Sequence, residues 1–124
     1  DLQAEMRAAL KEWLTAAGID HVDVGGCGPV ETGLEDASVD LVFLANLTHE
    51  YDDLTAGLRE CARITRPGGR IVVVDWKAEE MDTGPPLDHR VSEETVIGIA
   101  EGLGLSLSAS ETILPYHYFL LFGV

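Results

Sequence analysis

The chain has 124 residues, 46% of them hydrophobic, and a formal net charge of −14. That length leads us to expect one domain with a single core. The acidic balance argues against nucleic-acid phosphate and against anionic membranes as partners, because both need clustered Lys and Arg.

No apolar run approaches the ~20 residues of a membrane span, and no signal peptide is visible. Cys27 and Cys61 lack metal spacing, so a reducing, cytoplasmic setting is expected, with Cys61 buried in a helix and Cys27 in a loop. Four scattered histidines without ligand spacing speak against a metal site. The chain opens at Asp1 without an initiator Met and runs straight into a helix, as the interior of a longer product would.

Residues 2–17 read as an amphipathic helix with Leu2, Met6, Leu10 and Leu14 on one face, ended by Gly18. Residues 19–24 read as a short strand in which His21 and Asp23 alternate with apolar neighbours. A loop rich in Gly, Pro and acid follows over 25–38 and contains Gly25-Gly26-Cys27-Gly28-Pro29. Residues 39–45 form an apolar run expected to be a strand buried on both faces. Asp52 or Asp53 caps the next helix, whose apolar set is Leu54, Leu58, Cys61, Ala62 and Ile64.

The stretch from Ile64 to Asp75 then predicts a helix end, a tight turn at Arg66-Pro67-Gly68-Gly69, and a second buried strand over 70–76. Residues 39–75 therefore make one strand–helix–strand unit of a parallel sheet. A polar connector covers 77–91, and Ser92, followed by Glu93 and Glu94, starts a helix that stops at Gly104. Strands over 105–112 and 116–124, joined through Leu114-Pro115, close the chain as an antiparallel hairpin. The fold class is α/β: a Rossmann-like, mostly parallel sheet flanked by helices, with a C-terminal antiparallel hairpin.

In this order the segments resemble the later part of a class I S-adenosylmethionine-dependent methyltransferase of the ubiquinone/menaquinone-biosynthesis type. Asp1-Leu2-Gln3-Ala4-Glu5-Met6 resembles the acidic end of that family's second strand and the helix after it. Ala17-Gly18-Ile19-Asp20-His21-Val22 resembles the turn into the third strand. Residues 34–42 resemble the approach to the fourth strand, and Arg66-Pro67-Gly68-Gly69-Arg70 the entry to the fifth.

The resemblance implies S-adenosylmethionine as cofactor and a small-molecule methyl acceptor. It places the cofactor against Asp1 and Leu2, Gly28 and Pro29, and Asn46 and Leu47. The family's glycine-rich loop would lie before Asp1, although Gly25–Pro29 superficially resembles it. Where the family has an acidic residue and Ala against the adenine, this chain has Gly28 and Pro29.

The chemistry agrees with those positions. Ligands of open α/β sheets sit beyond the carboxyl ends of the strands, and a carboxylate at Asp1 suits two ribose hydroxyls. His49 follows the first buried strand and is the candidate base for a hydroxyl or carbon acid. His49, Trp76, His89 and Tyr116 are the candidate substrate contacts. Two competing readings remain at this point. One is a truncated, non-catalytic methyltransferase-like domain that completes its sheet by pairing with a second copy as a homodimer. The other is a nicotinamide-dependent oxidoreductase, disfavoured by the closing hairpin.

Overall fold

A computed structural model describes residues 2–112 and 114–124. Helix α1 spans Ala4–Ala16, strand β1 Val39–Ala45, helix α2 Leu54–Ile64 and strand β2 Thr65–Trp76. Helix α3 spans Glu93–Gly102, strand β3 Ser106–Glu111 and strand β4 His117–Gly123. The strand order is β1-β2-β4-β3. β1 and β2 are parallel, as their helical crossover through α2 requires. β4 runs antiparallel to both β2 and β3.

α2 and α3 begin where side-chain chemistry allows, while α1 starts at Gln3 without a side-chain cap. Asp53 accepts from the Ala56 N–H at 2.9 Å and Ser92 from the Thr95 N–H at 3.2 Å, so both caps satisfy an orphan donor of the first turn. α2 buries Leu58, Cys61 and Ile64, and α3 buries Val96 and Ala100. Leu58, Cys61, Val96 and Ala100 meet Leu44, Ile71, Val73, Tyr118, Leu120 and Phe122 in one core on one face of the sheet. Period-2 alternation in β4 selects Tyr118, Leu120 and Phe122 for that face.

The structure departs from the sequence reading in four places. Residues 19–24 form no strand: no strand among the described residues lies beside them, and Val22 remains 45% exposed. A strand exists only through its neighbour's hydrogen bonds, and propensity alone does not hold it. β1 is consequently an edge strand and is not covered on both faces; Leu41 and Phe43 are 55% and 59% exposed. The apolar stripe of α1 is likewise largely uncovered, with Leu14 buried but Leu2, Met6 and Leu10 exposed.

The expected turn at residues 66–69 is a bulge inside a longer β2. Thr65 pairs with Val39 and Arg70 with Leu41, so residues 66–69 loop out opposite Asp40. Arg66 ties that loop down by donating to the Asp40 carboxylate at 2.5 Å and the Ser38 carbonyl at 2.9 Å. Gly68 takes a φ of +81° that favours glycine. A Cβ at Gly69 would lie 2.6 Å from Thr65 Cγ2, 2.8 Å from the Arg66 carbonyl oxygen and 3.0 Å from that of Asp40. Two of those atoms are backbone and have nowhere to go. Gly69→Ala is expected to cost roughly 1–3 kcal/mol, read as a lower urea midpoint with an unchanged slope. A wild-type midpoint would show that the bulge has slack.

Candidate active site

Two segments converge at the carboxyl ends of the parallel pair. After β1, Asn46 adopts a left-handed φ of +51°, tolerable for Asn, while its N–H donates to the Val74 carbonyl at 2.8 Å. This sharp exit turns Leu47 and the short 3-10 helix Thr48–Glu50 back across the end of β2, where Asp75 stands.

Asp75 is 1% exposed and fully engaged. Its Oδ2 accepts from the Leu47 N–H at 3.1 Å, the Thr48 N–H at 2.7 Å and the Thr48 hydroxyl at 2.5 Å. Its Oδ1 accepts from the Trp76 N–H at 2.8 Å and faces His49 Nδ1 at 2.7 Å. Burial raises the carboxyl's pKa, but donation from Thr48, Trp76 and His49 outweighs it and holds the group below its ordinary value. Tyr118 completes the cluster 3.4 Å from the Thr48 hydroxyl, its phenol pushed up by burial. His49 Nε2 lies 3.2 Å from the exposed Glu50 carboxylate.

Beside this cluster is an apolar cavity of about 520 Å³, within the roughly 300–1,000 Å³ of small-molecule sites. Leu2 comes to it from the start of α1, Gly28 and Pro29 from the loop, and Leu47 from the β1 exit. Tyr51 and Glu50 also line it. Tyr51 packs on Gly57 so closely that a Cβ there would lie 2.3 Å from its ring.

The loop wall is fixed by Glu60 of α2, which accepts from the Thr32 N–H at 2.8 Å and the Thr32 hydroxyl at 2.6 Å. Arg63 donates to Glu60 at 2.7 Å, to the Leu34 carbonyl at 2.8 Å and to Asp36. Hydrogen bonds from Arg63, then Thr32, draw the Glu60 carboxyl down to about 2.

Leu2, Gly28, Pro29 and Leu47 thus share one wall system, with Asn46 as the hinge that delivers Leu47. Asp1 lies outside the described residues. The candidate substrate contacts are not gathered there. His49 sits in the Asp75 cluster. Trp76 alternates to the other side of the sheet and stacks on His117 at 4.2 Å between ring centroids. Tyr116 is 47% exposed. His89 ends a short 3-10 helix, Leu87–His89, in the connector.

That connector is an ordered loop, with Arg90 donating to the carbonyls of Pro85, Glu79 and Thr83 at 2.8, 2.7 and 2.9 Å. The sequence reading gave no site role to Asp75, Thr48 or Tyr51; Tyr118, one of its further candidates, does join the cluster. Asp75 carried a signal: an acid ending an apolar strand run needs donors, and the strand end is where ligands sit.

These residues have the chemistry to hold an adenosine-type cofactor. The apolar walls suit a purine ring, while Glu50, Thr32 and Gln3 offer polar groups at the lining. Among the described residues, no cluster of His, Cys, Asp and Glu suits a metal ion, and no helix is long and apolar enough to cross a membrane.

Comparison with known proteins agrees with this architecture. The crystal structure of a SAM dependent methyltransferase from Aquifex aeolicus superimposes with a TM-score of 0.90 at 30% identity, over 98% of this chain and 65% of that one. A putative type 11 methyltransferase from Sulfolobus solfataricus gives 0.75 at 28% identity, over 99% of this chain and 67% of that one. Methyltransferase tpcH of Aspergillus fumigatus is 31% identical over 77 residues, which is 62% of this chain and 27% of that protein. The chain therefore spans about two thirds of these solved relatives and about a quarter of the curated one. A methyltransferase-domain family model matches residues 1–73, more than half of the chain. The chain belongs to the methyltransferase-domain family and shares the α/β fold of the SAM dependent methyltransferase from Aquifex aeolicus.

Proposed function

We propose that this chain binds S-adenosylmethionine in the cavity between Pro29 and Leu47 and transfers its methyl group to a small-molecule acceptor. The observation that carries this reading is the convergence of Leu2, Gly28, Pro29 and Leu47, from three separate segments, on one apolar cavity at the carboxyl end of β1. Methyl transfer from a sulfonium is an in-line displacement, so the protein mainly orients donor and acceptor and excludes water. Leu47 and Pro29 would flank the adenine, and the cofactor would supply the electrophilic methyl. An acceptor of the ubiquinone/menaquinone-precursor kind, a small ring bearing an acidic hydroxyl or carbon, suits the neighbouring His49. A cytoplasmic setting and a single domain over residues 1–124 complete the proposal; both cysteines are free thiols. Titration with S-adenosylhomocysteine in a calorimeter is the test. Saturation in the micromolar range is expected, and no heat at millimolar ligand removes the reading.

A second reading has its own observation: β1 offers an unpaired edge beside exposed Leu41 and Phe43. Such an edge is a template for pairing with another chain, and the reading is of a non-catalytic domain that completes its sheet as a homodimer. Light scattering is then expected to give twice the chain mass, strengthening with salt because a charge of −14 opposes association. Phe43→Lys should return a monomer. A wild-type monomer at every salt concentration rejects it.

A further inference from the structure

We propose that Glu60 is a positioning residue for the cofactor: it holds the Gly28–Pro29 wall at a fixed place against α2 and so sets the affinity for the adenosyl group. This deepens the cofactor-binding part of the methyl-transfer reading and rests on it. The cavity has a firm side and a suspended side. Cys61 and Ile64 of α2 line it, and each is only 4% exposed, so close packing fixes them. Leu47 is anchored by its N–H on Asp75. Gly28, Pro29 and Thr32, by contrast, come from the segment between α1 and β1 and lie in no helix or strand.

A wall without a ladder needs a tie. Gly28 and Glu31 form a single antiparallel bridge, which puts Pro29 in the corner of a tight turn. The proline ring fixes φ, so this turn moves as one piece with Thr32, the residue after Glu31. Thr32 is where α2 takes hold. Glu60 Oε1 accepts from the Thr32 N–H at 2.8 Å and from its hydroxyl at 2.6 Å. Arg63 clamps the same carboxylate, donating from Nε to Oε2 at 2.7 Å and from a terminal nitrogen to Oε1 at 2.8 Å. It also reaches the loop beyond Thr32, at the Leu34 carbonyl and Asp36.

Glu60 is 8% exposed, and a buried carboxylate is costly unless donors surround it. Those donors are Thr32 of the loop and Arg63 of its own helix, whereas Leu58 and Cys61 carry the core side of α2. What this carboxylate fixes is therefore the place of the wall.

Glu60→Gln and Glu60→Ala test this, read by calorimetry with S-adenosylhomocysteine and by residue-resolved amide hydrogen exchange. Glutamine offers one oxygen; with that oxygen on Thr32, its NH₂ meets the Arg63 Nε–H, donor against donor. The clamp must release, and affinity should fall roughly tenfold, the share of one charged hydrogen bond. Glu60→Ala should lose more. In both, residues 28–34 should exchange faster while β2 and β4 keep wild-type protection. 5′-Methylthioadenosine, which has the adenosyl group without the amino-acid end, should lose the same fold in affinity. A merely structural Glu60 would lower protection across the sheet and leave both affinities of the folded protein unchanged.

Affinity of Glu60→Gln within about twofold of wild type, or a loss confined to S-adenosylhomocysteine, overturns the proposal. Should Glu60→Ala fail to fold, Glu60→Gln decides. A wild-type protein that binds neither ligand removes the methyl-transfer reading itself, and this inference falls with it.

Discussion

Leu47→Arg is expected to weaken S-adenosylhomocysteine binding at least ~100-fold, about 2.7 kcal/mol, while leaving the fold intact. Leu47 lines the apolar cavity and is 36% exposed, so its side chain contributes wall more than core. Its backbone N–H stays bonded to Asp75 whatever the side chain. A guanidinium there fills the space of the ligand and sets a charge against the apolar walls of the cavity, even if it pairs with Glu50 at the rim. Leu47→Met, which keeps volume and polarity, should bind within a few-fold of wild type. Calorimetric affinity beside an unchanged thermal midpoint is the measurement. Wild-type affinity in Leu47→Arg would take this cavity out of cofactor binding altogether.

Asp75→Ala is expected to be the most destabilising single change, at roughly 3–5 kcal/mol. It strands the Thr48 and Trp76 N–H groups and the Thr48 hydroxyl in a site where Thr48 is 0% exposed. The pH dependence has a definite sign. Asp75 is held below its ordinary pKa, as is Glu60, which lies at about 2. Depressed carboxyls stabilise the fold fully above their unfolded values, near ~4. They lose that contribution as pH falls through the folded values. Acid also relieves the repulsion of a chain at −14, which works the other way. The comparison to make is therefore urea midpoints from neutral pH to acid, wild type against Asp75→Asn. Wild type should fall more steeply below about pH 4. Parallel curves would mean that Asp75 is not the group that couples this fold to acid.

Much of the architecture can be read from residue pattern. The run 71–74 is β-branched without polar alternation, and it does become part of an interior strand of the sheet. Asp53 and Ser92 cap the helices they precede because a short oxygen-bearing side chain reaches the second or third N–H wherever it occurs. Such local rules need no knowledge of the rest of the chain.

What escaped the pattern was everything decided by a neighbour distant in sequence. Residues 19–24 have strand-like alternation, yet no ladder forms, because pairing is a property of two segments. Pro67 and the two glycines after it spell a turn, but pairing on either side of Asp40 makes them a bulge within one strand. His49 was legible as a basic residue after a strand; that its Nδ1 meets Asp75, 26 residues later, was not. Amino-acid order alone determined where α2 and α3 start and that residues 71–74 run through the sheet interior, since those choices rest on local caps and on an unbroken apolar run. Only the folded chain decided which strand edge stays open, which loop walls the cavity and which carboxylate orients the histidine, because those depend on hydrogen-bond partners and desolvation that long-range packing supplies.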